Sequence, residues 1–204
     1  TGGMGAYSPA PLLTKDYLDI ITKEIIEPTI DGLNKKDIDY KGVIYFGLML
    51  TKSGPKVIEY NCRFGDPECQ TIMPLLDQSF VLLLEKCAMG KLTGREKIDT
   101  SDKVSGCVIA TSRGYPHEYK TGFPIKIGNI DSTDCQIFDS GTSFNKNGEL
   151  VTDGGRVLSI VCQDKNFDIV FEKAYKNLKD ISFDGIYFRN DIGHQVRTDI
   201  SKGD

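Results

Sequence analysis

Residues 43–50 and 56–61 read as two short strands, Val43-Ile44-Tyr45-Phe46-Gly47-Leu48-Met49-Leu50 and Lys56-Val57-Ile58-Glu59-Tyr60-Asn61, joined by Thr51-Lys52-Ser53-Gly54-Pro55. Strands joined by so short a turn read as a hairpin. The second strand runs on into Cys62-Arg63-Phe64-Gly65-Asp66-Pro67-Glu68, a guanidinium and a tight turn beside two carboxylates. Side chains alternate along a strand, so Glu59 and Asn61 share one face and Tyr60 takes the other. Two hard oxygen donors converge there. Magnesium accepts a carboxylate with neutral oxygens and completes its octahedron with water and phosphate, so Glu59 and Asn61 are candidate metal ligands. Arg63 can direct a forked donor at the same phosphates or at a substrate carboxylate. An exposed strand end followed by an ordinary Gly65-Asp66-Pro67 turn is the other reading of these residues.

A second constraint lies at the start. Gly2, Gly3 and Gly5 fall within the first five residues, with Met4 among them, ahead of Ala6-Tyr7-Ser8-Pro9-Ala10-Pro11. Glycine accepts positive φ and carries no Cβ, so such a segment can turn several amides toward a phosphate or carboxylate. It lacks the Gly-Lys-Ser/Thr of a Walker loop and the spacing of a dinucleotide fingerprint. A merely tight surface loop would need the same glycines.

Beyond the glycines, Thr14 can cap a helix carrying Leu18, Ile21, Ile25 and Leu33 at helical spacing, with Pro28 expected to kink or divide it. Residues 74–89 read as a second helix, apolar enough to be buried on much of its surface. The polar stretch 90–103 separates this part from another in which 104–111 and 156–162 read as buried strands. There Phe167, Val170, Phe171, Ala174 and Leu178 make a helical stripe, and 185–189 a last strand. Both parts mix helices and strands, so the fold class is α+β, with domains at 1–102 and 103–204.

The net charge of −4 and the absence of a basic cluster argue against non-specific nucleic-acid binding. The longest apolar runs are far shorter than the roughly 20 residues of a membrane span. Six cysteines, at 62, 69, 87, 107, 135 and 162, include no Cys-x-x-Cys pair, and the only histidines are His117 and His194, so zinc is not expected. A chain with this apolar content needs no covalent staple, so the cysteines are expected to be reduced, in a cytoplasmic setting. His117 and His194 are expected to be surface residues.

Together, Thr1-Gly2-Gly3-Met4-Gly5-Ala6-Tyr7-Ser8-Pro9-Ala10-Pro11 and Val57-Ile58-Glu59-Tyr60-Asn61-Cys62-Arg63-Phe64-Gly65-Asp66-Pro67-Glu68 closely resemble the phosphoribosylamine–glycine ligases, or glycinamide ribonucleotide synthetases, of the ATP-grasp superfamily. The segment 40–49, Gly114-Tyr115-Pro116, Gly154-Gly155-Arg156-Val157-Leu158 and Arg189-Asn190-Asp191-Ile192-Gly193 extend the resemblance in order along the whole chain. It implies the second lobe of an ATP-grasp fold followed by a small carboxy-terminal α+β domain. The implied activity is ATP-dependent ligation of glycine to 5-phosphoribosylamine through glycyl phosphate, an ADP-forming step of purine synthesis. It further implies Mg2+ or Mn2+ at Glu59 and Asn61, Arg63 as the catalytic cation, and Gly2, Gly3, Met4 and Gly5 lining the acceptor site. Asp66 and Glu68 would face a substrate ammonium or Arg63, while Arg156 and Arg189 could reach substrate or form salt bridges. An amino-terminal part of the same protein, including the nucleotide lid, would lie upstream, and the isolated chain would then hold only a partial nucleotide site. Two positions depart from the pattern. Gly47 stands where many ATP-grasp enzymes place a second acidic metal ligand, and Phe138-Asp139-Ser140-Gly141-Thr142 replaces a His-Ala-Gly-Thr loop, which is therefore read as structural.

Overall fold

The computed structural model describes residues 2–94 and 96–198. In chain order the elements are β1 (Gly5–Ser8), α1 (Lys15–Ile21), a π-helical stretch (Thr22–Ile26), α2 (Glu27–Lys35), β2 (Tyr45–Thr51), β3 (Gly54–Asn61), α3 (Glu68–Ile72), a 3-10 turn (Met73–Leu75) and α4 (Phe80–Ala88). They continue with β4 (Val104–Ser112), β5 (Lys126–Ile127), β6 (Cys135–Asp139), β7 (Thr142–Phe144), β8 (Leu150–Thr152), β9 (Arg156–Asp164), α5 (Phe167–Lys179), β10 (Ile181–Ser182) and β11 (Ile186–Tyr187). Among the described residues no helix is long and apolar enough to cross a membrane.

Packing divides the chain differently from the expected 1–102 and 103–204. One unit gathers segments 1–9, 66–75 and 100–204; the other gathers 10–65 and 76–99. The reason is strand pairing: β1 lies antiparallel on β4, from Gly5 opposite Val108 to Ser8 opposite Ser105. The glycine-rich start and the Asp66–Leu75 segment therefore belong with the carboxy-terminal residues.

The first unit is built on an antiparallel sheet in the order β1, β4, β9, β6, with β11 also paired to β4. Alternate residues of β4 serve its two faces. Val108 and Ala110 join Leu158, Ile160, Val170, Phe171, Ala174 and Leu178 in the main core under α5, as the helical stripe requires. Cys107, Ile109 and Val161 form a second cluster, and α3 packs on β1, β4 and β9. Close approach is enforced by glycine: a Cβ on Gly193, whose φ is +77°, would lie 2.1 Å from the Phe171 ring. The loop holding Gly141 is structural in the same sense, since a Cβ there would sit 2.6 Å from the Arg156 carbonyl oxygen. One expectation is corrected in this sheet. Cys135 and Cys162 face each other in the β6–β9 register and are joined by a disulfide. Apolar content made a staple unnecessary, but pairing of the two strands sets these two thiols side by side.

In the second unit Thr14 caps α1, its hydroxyl accepting from the Tyr17 amide, and Ile21 and Ile25 are buried. The helical run is divided ahead of Pro28, into α1, the π-helical stretch and α2. Lacking an N–H and crowding the carbonyl four residues back, the proline is accommodated at the start of α2 by the preceding π-helical stretch. The expected 74–89 helix is also corrected. Its first part is the 3-10 turn, Ser79 caps a new start, and no residue of α4 is buried; Val81 is 72% exposed and Leu82 57%. An apolar sequence states that a helix gains from burial, but the residues folded beside it decide whether burial occurs.

Candidate active site

The β2–β3 ribbon of the second unit places the predicted metal ligands. Glu59 and Asn61 lie on the same face, and the Asn61 Nδ2 donates to Glu59 Oε1 at 3.0 Å. Tyr60 is on the other face, edge-on to Phe46 with its hydroxyl 3.2 Å from Thr29 Oγ1. Gly47 pairs directly with Glu59, next to a register shift between Gly47 and Leu48. A Cβ on Gly47 would lie 2.7 Å from Glu59 Cγ. The position that lacks an acid is thus the one whose side chain would displace the glutamate. Among the described residues no three His, Cys, Asp or Glu side chains cluster as a metal site. The donor set is one carboxylate with an amide oxygen beside it, which suits Mg2+ or Mn2+ completed by water and phosphate. Arg63 is exposed and its Nη1 donates to the Phe64 carbonyl at 2.7 Å.

The first unit holds the remaining predicted residues. Gly2 is exposed, and Gly3 has φ +75°. Met4 is 4% exposed, and its carbonyl accepts from the Ile109 amide at 3.1 Å. Gly5 belongs to β1, where a Cβ would lie 2.6 Å from both the Cys107 carbonyl and the Ile192 side chain. Only Gly2 and Gly3 therefore remain as open loop; Gly5 is required by packing. Asp66 has a partner other than Arg63: Arg156 Nη2 donates to Asp66 Oδ2 at 2.6 Å and Nη1 to the Asp66 carbonyl at 2.9 Å. Gln70 Nε2 takes Oδ1 at 3.0 Å. A Cβ on Gly3 would fall 3.0 Å from Arg156 Nη1, so the glycine loop rests against this guanidinium. Glu68 opens α3, its carbonyl accepting from Thr71 Oγ1 at 2.8 Å. On the sheet below, burial chiefly, with Asp66 and Glu68 adding, pushes the Cys107 thiol far above its ordinary range.

Arg189 forms the alternative salt bridge, Nε to Asp191 Oδ1 at 2.7 Å. His117 and His194 are exposed. Arg113 and Tyr187 were not singled out in the sequence; both line a cleft that also includes Met4. The Gly114 that follows Arg113 was the available signal, because a glycine fixing a turn also fixes its neighbours.

Comparison with known proteins shows the family. Residues 1–69 match the family described as phosphoribosylglycinamide synthetase, ATP-grasp (A) domain, and residues 105–195 match phosphoribosylglycinamide synthetase, C domain. Over 192 residues the chain is 48% identical to a phosphoribosylamine–glycine ligase of Caldanaerobacter subterraneus subsp. tengcongensis, covering 94% of this chain and 45% of that protein. The crystal structure of phosphoribosylamine–glycine ligase from Thermotoga maritima superposes with a TM-score of 0.79 at 32% identity, covering 94% of this chain and 46% of that one. A biotin carboxylase from Campylobacter jejuni, at 17% identity and a TM-score of 0.62 over 90% of this chain and 40% of that one, shares the fold. The chain spans about half the length of the curated phosphoribosylamine–glycine ligases it matches.

Proposed function

The chain belongs to the phosphoribosylglycinamide synthetase family, with an ATP-grasp fold, and on that premise we propose that it supplies part of an ADP-forming ligase joining glycine to 5-phosphoribosylamine. The product is glycinamide ribonucleotide, with ADP and phosphate released, in purine synthesis. A carboxylate is a poor electrophile because its leaving group would be oxide, so ATP first converts glycine to glycyl phosphate, which the ribosylamine nitrogen attacks. For such phosphoryl transfer a protein contributes mainly position and charge.

Each residue then has a task. Glu59 and Asn61 hold the divalent cation, Mg2+ or Mn2+, which when bound neutralises phosphate charge. Arg63 turns its guanidinium from the Phe64 carbonyl to the transferring phosphoryl group, where it stabilises developing charge. Gly2 and Gly3 present amides to the substrate carboxylate or phosphate, and Glu68 offers a carboxylate to an ammonium. Asp66, held by Arg156 and Gln70, shapes the loop and offers its carboxylate to an ammonium beside Glu68.

The observation that carries this reading is the Glu59–Asn61 pair on one face of β3 opposite Gly47. The test is Glu59→Ala in a full-length enzyme carrying this chain. Glycine-dependent, magnesium-dependent ADP release should fall roughly a hundredfold or more with the fold intact, because Glu59 is exposed. Activity within about tenfold of wild type would remove Glu59 from the mechanism. The 204-residue chain alone, spanning about half of its relatives, is proposed to release no ADP, and the same assay on it decides that point.

A further inference from the structure

Strand β6 is an edge of the first unit's sheet: β9 pairs with one side of it, and no strand among the described residues pairs with the other. Little side-chain burial holds it there. Within β6 only Cys135 is buried and Ile137 half-buried, while Gln136, Phe138 and Asp139 are exposed; on β9, by contrast, every residue from Val157 to Cys162 is buried. An edge strand of this kind is the part of a sheet that detaches first, because opening it exposes little apolar surface.

Cys135 is where β6 is fastened. The Gln163 amide donates to the Asp134 carbonyl at 2.8 Å, so the pair next to it, Cys135 opposite Cys162, is one without ladder hydrogen bonds between its residues. Side chains of opposite strands come closest at such a pair; the Cα atoms here are 4.1 Å apart and the two sulfurs are bonded. Just outside the strand, Asp134 is tied to Lys103 at 2.8 Å and to Lys173 at 3.4 Å. At the other end the Ser140 amide donates to the Val157 carbonyl at 3.0 Å and the Gly141 amide to the Arg156 carbonyl at 2.8 Å. β6 therefore runs from a covalent link at Cys135 to the backbone of Arg156, whose guanidinium holds Asp66. Cys107, on the adjacent β4, belongs to the other apolar cluster and offers no thiol to this bond, so an attacking thiol comes from solution.

We infer that Cys135 and Cys162 form a reversible thiol–disulfide exchange site, reached by local detachment of β6 and controlling how firmly that strand is held. When β6 lifts, solvent reaches the Cys135 sulfur first, because Cys162 lies within the buried stretch of β9. A thiolate of a small dithiol attacks the Cys135 sulfur, the S–S bond breaks, and its electron pair leaves on Cys162, which takes a proton from water. The second thiolate of the dithiol then displaces Cys135, which is protonated in turn. The protein gains two electrons and two protons, and the dithiol becomes a disulfide. Glutathione disulfide, consumed to two glutathione thiols, drives the exchange in the opposite direction.

The experiment follows reduction of the full-length enzyme carrying this chain by dithiothreitol. Aliquots quenched in acid, alkylated in denaturant and digested report the Cys135 and Cys162 thiols by mass spectrometry. Reduction through detachment of β6 should proceed in native buffer and quicken less than about twofold per molar urea, whereas opening of a whole domain would quicken it about fivefold or more. In the reduced enzyme, amide hydrogen exchange over residues 135–141 should be about tenfold faster or more, with that of α5 unchanged. Cys135→Ser should show the same acceleration without reductant. Glutathione disulfide should then restore the Cys135–Cys162 cross-linked peptide. A urea dependence of whole-domain size, unchanged exchange over 135–141 in the reduced enzyme, or reoxidation that fails to regenerate the pair would each overturn the assignment. None of these readouts involves ADP release, so failure of the exchange site and failure of the ligase reading are distinguishable.

Discussion

Arg156 and Asp66, separated by 90 positions in sequence, meet through two hydrogen bonds that engage both the carboxylate and the backbone carbonyl of Asp66. The same guanidinium fills the space beside Gly3. One side chain at the start of β9 thus holds the turn before α3 and the glycine loop before β1.

A double-mutant cycle should detect this link. Arg156→Ala and Asp66→Ala are expected to couple by about 1 kcal/mol in urea unfolding, the size of a partly exposed, forked ion pair. Arg156→Lys should recover less than half, because an ammonium cannot reach both acceptors at once. Strictly additive single effects would show that the contact contributes nothing to the unit's stability.

Gly47→Ala tests the ribbon. The added methyl would press on Glu59 Cγ at 2.7 Å, so the carboxylate has to move. In the full-length enzyme the magnesium concentration for half-maximal activity should rise about tenfold, a displacement cost near 1.4 kcal/mol, with circular dichroism unchanged. An unaltered magnesium requirement would separate Gly47 from the role of Glu59.

Thiol labelling reads the cysteine environments directly. Cys62 is exposed and should react first with iodoacetamide, as mass spectrometry of digests will report. Cys107 is buried with its thiol pushed up, so it should stay unmodified until unfolding. Cys135 and Cys162 should label only after reduction. Because Cys62 lies between Asn61 and Arg63, magnesium and nucleotide should slow its modification in the full-length enzyme. Early labelling of Cys107 would contradict its burial.

One cluster should contribute to the acid dependence of stability. Lys103 donates to Asp134 at 2.8 Å and Lys173 to Asp164 at 2.8 Å, which lowers the pKa of both carboxyls, while the hydrogen bond to Asp164 foremost raises that of Lys173. A depressed carboxyl stabilises the fold above its unfolded value, about 3.9, and that contribution is lost as pH falls through the lower folded value. The raised lysine contributes below about 10.4 and loses this as pH rises through its higher folded value. Between those limits the cluster's contribution is flat. Lys173→Met should cost about 1 kcal/mol at neutral pH, with a shallower loss of stability below about pH 4 than in wild type. Parallel acid limbs in the two proteins would exclude the cluster as their source.

The local pattern of the chain determined a good deal of this. Alternation placed Glu59 and Asn61 together, the Gly-Pro turn defined the hairpin, and the stripe from Phe167 to Leu178 marked the helix over the main core, because each depends on neighbours within a few residues. The motifs from Gly2 to Gly193 carried the family resemblance. Tertiary structure alone decided what depends on distant partners. It paired β1 with β4, drawing the glycine segment into the unit of the carboxy-terminal residues, and gave Asp66 to Arg156. It brought Cys135 opposite Cys162, left the apolar α4 uncovered, and brought Arg113 and Arg189 to one cleft. Periodicity reports which side of an element gains from burial, whereas pairing, ion contacts and clefts arise from the meeting of segments far apart in the chain, and no local spacing encodes that meeting.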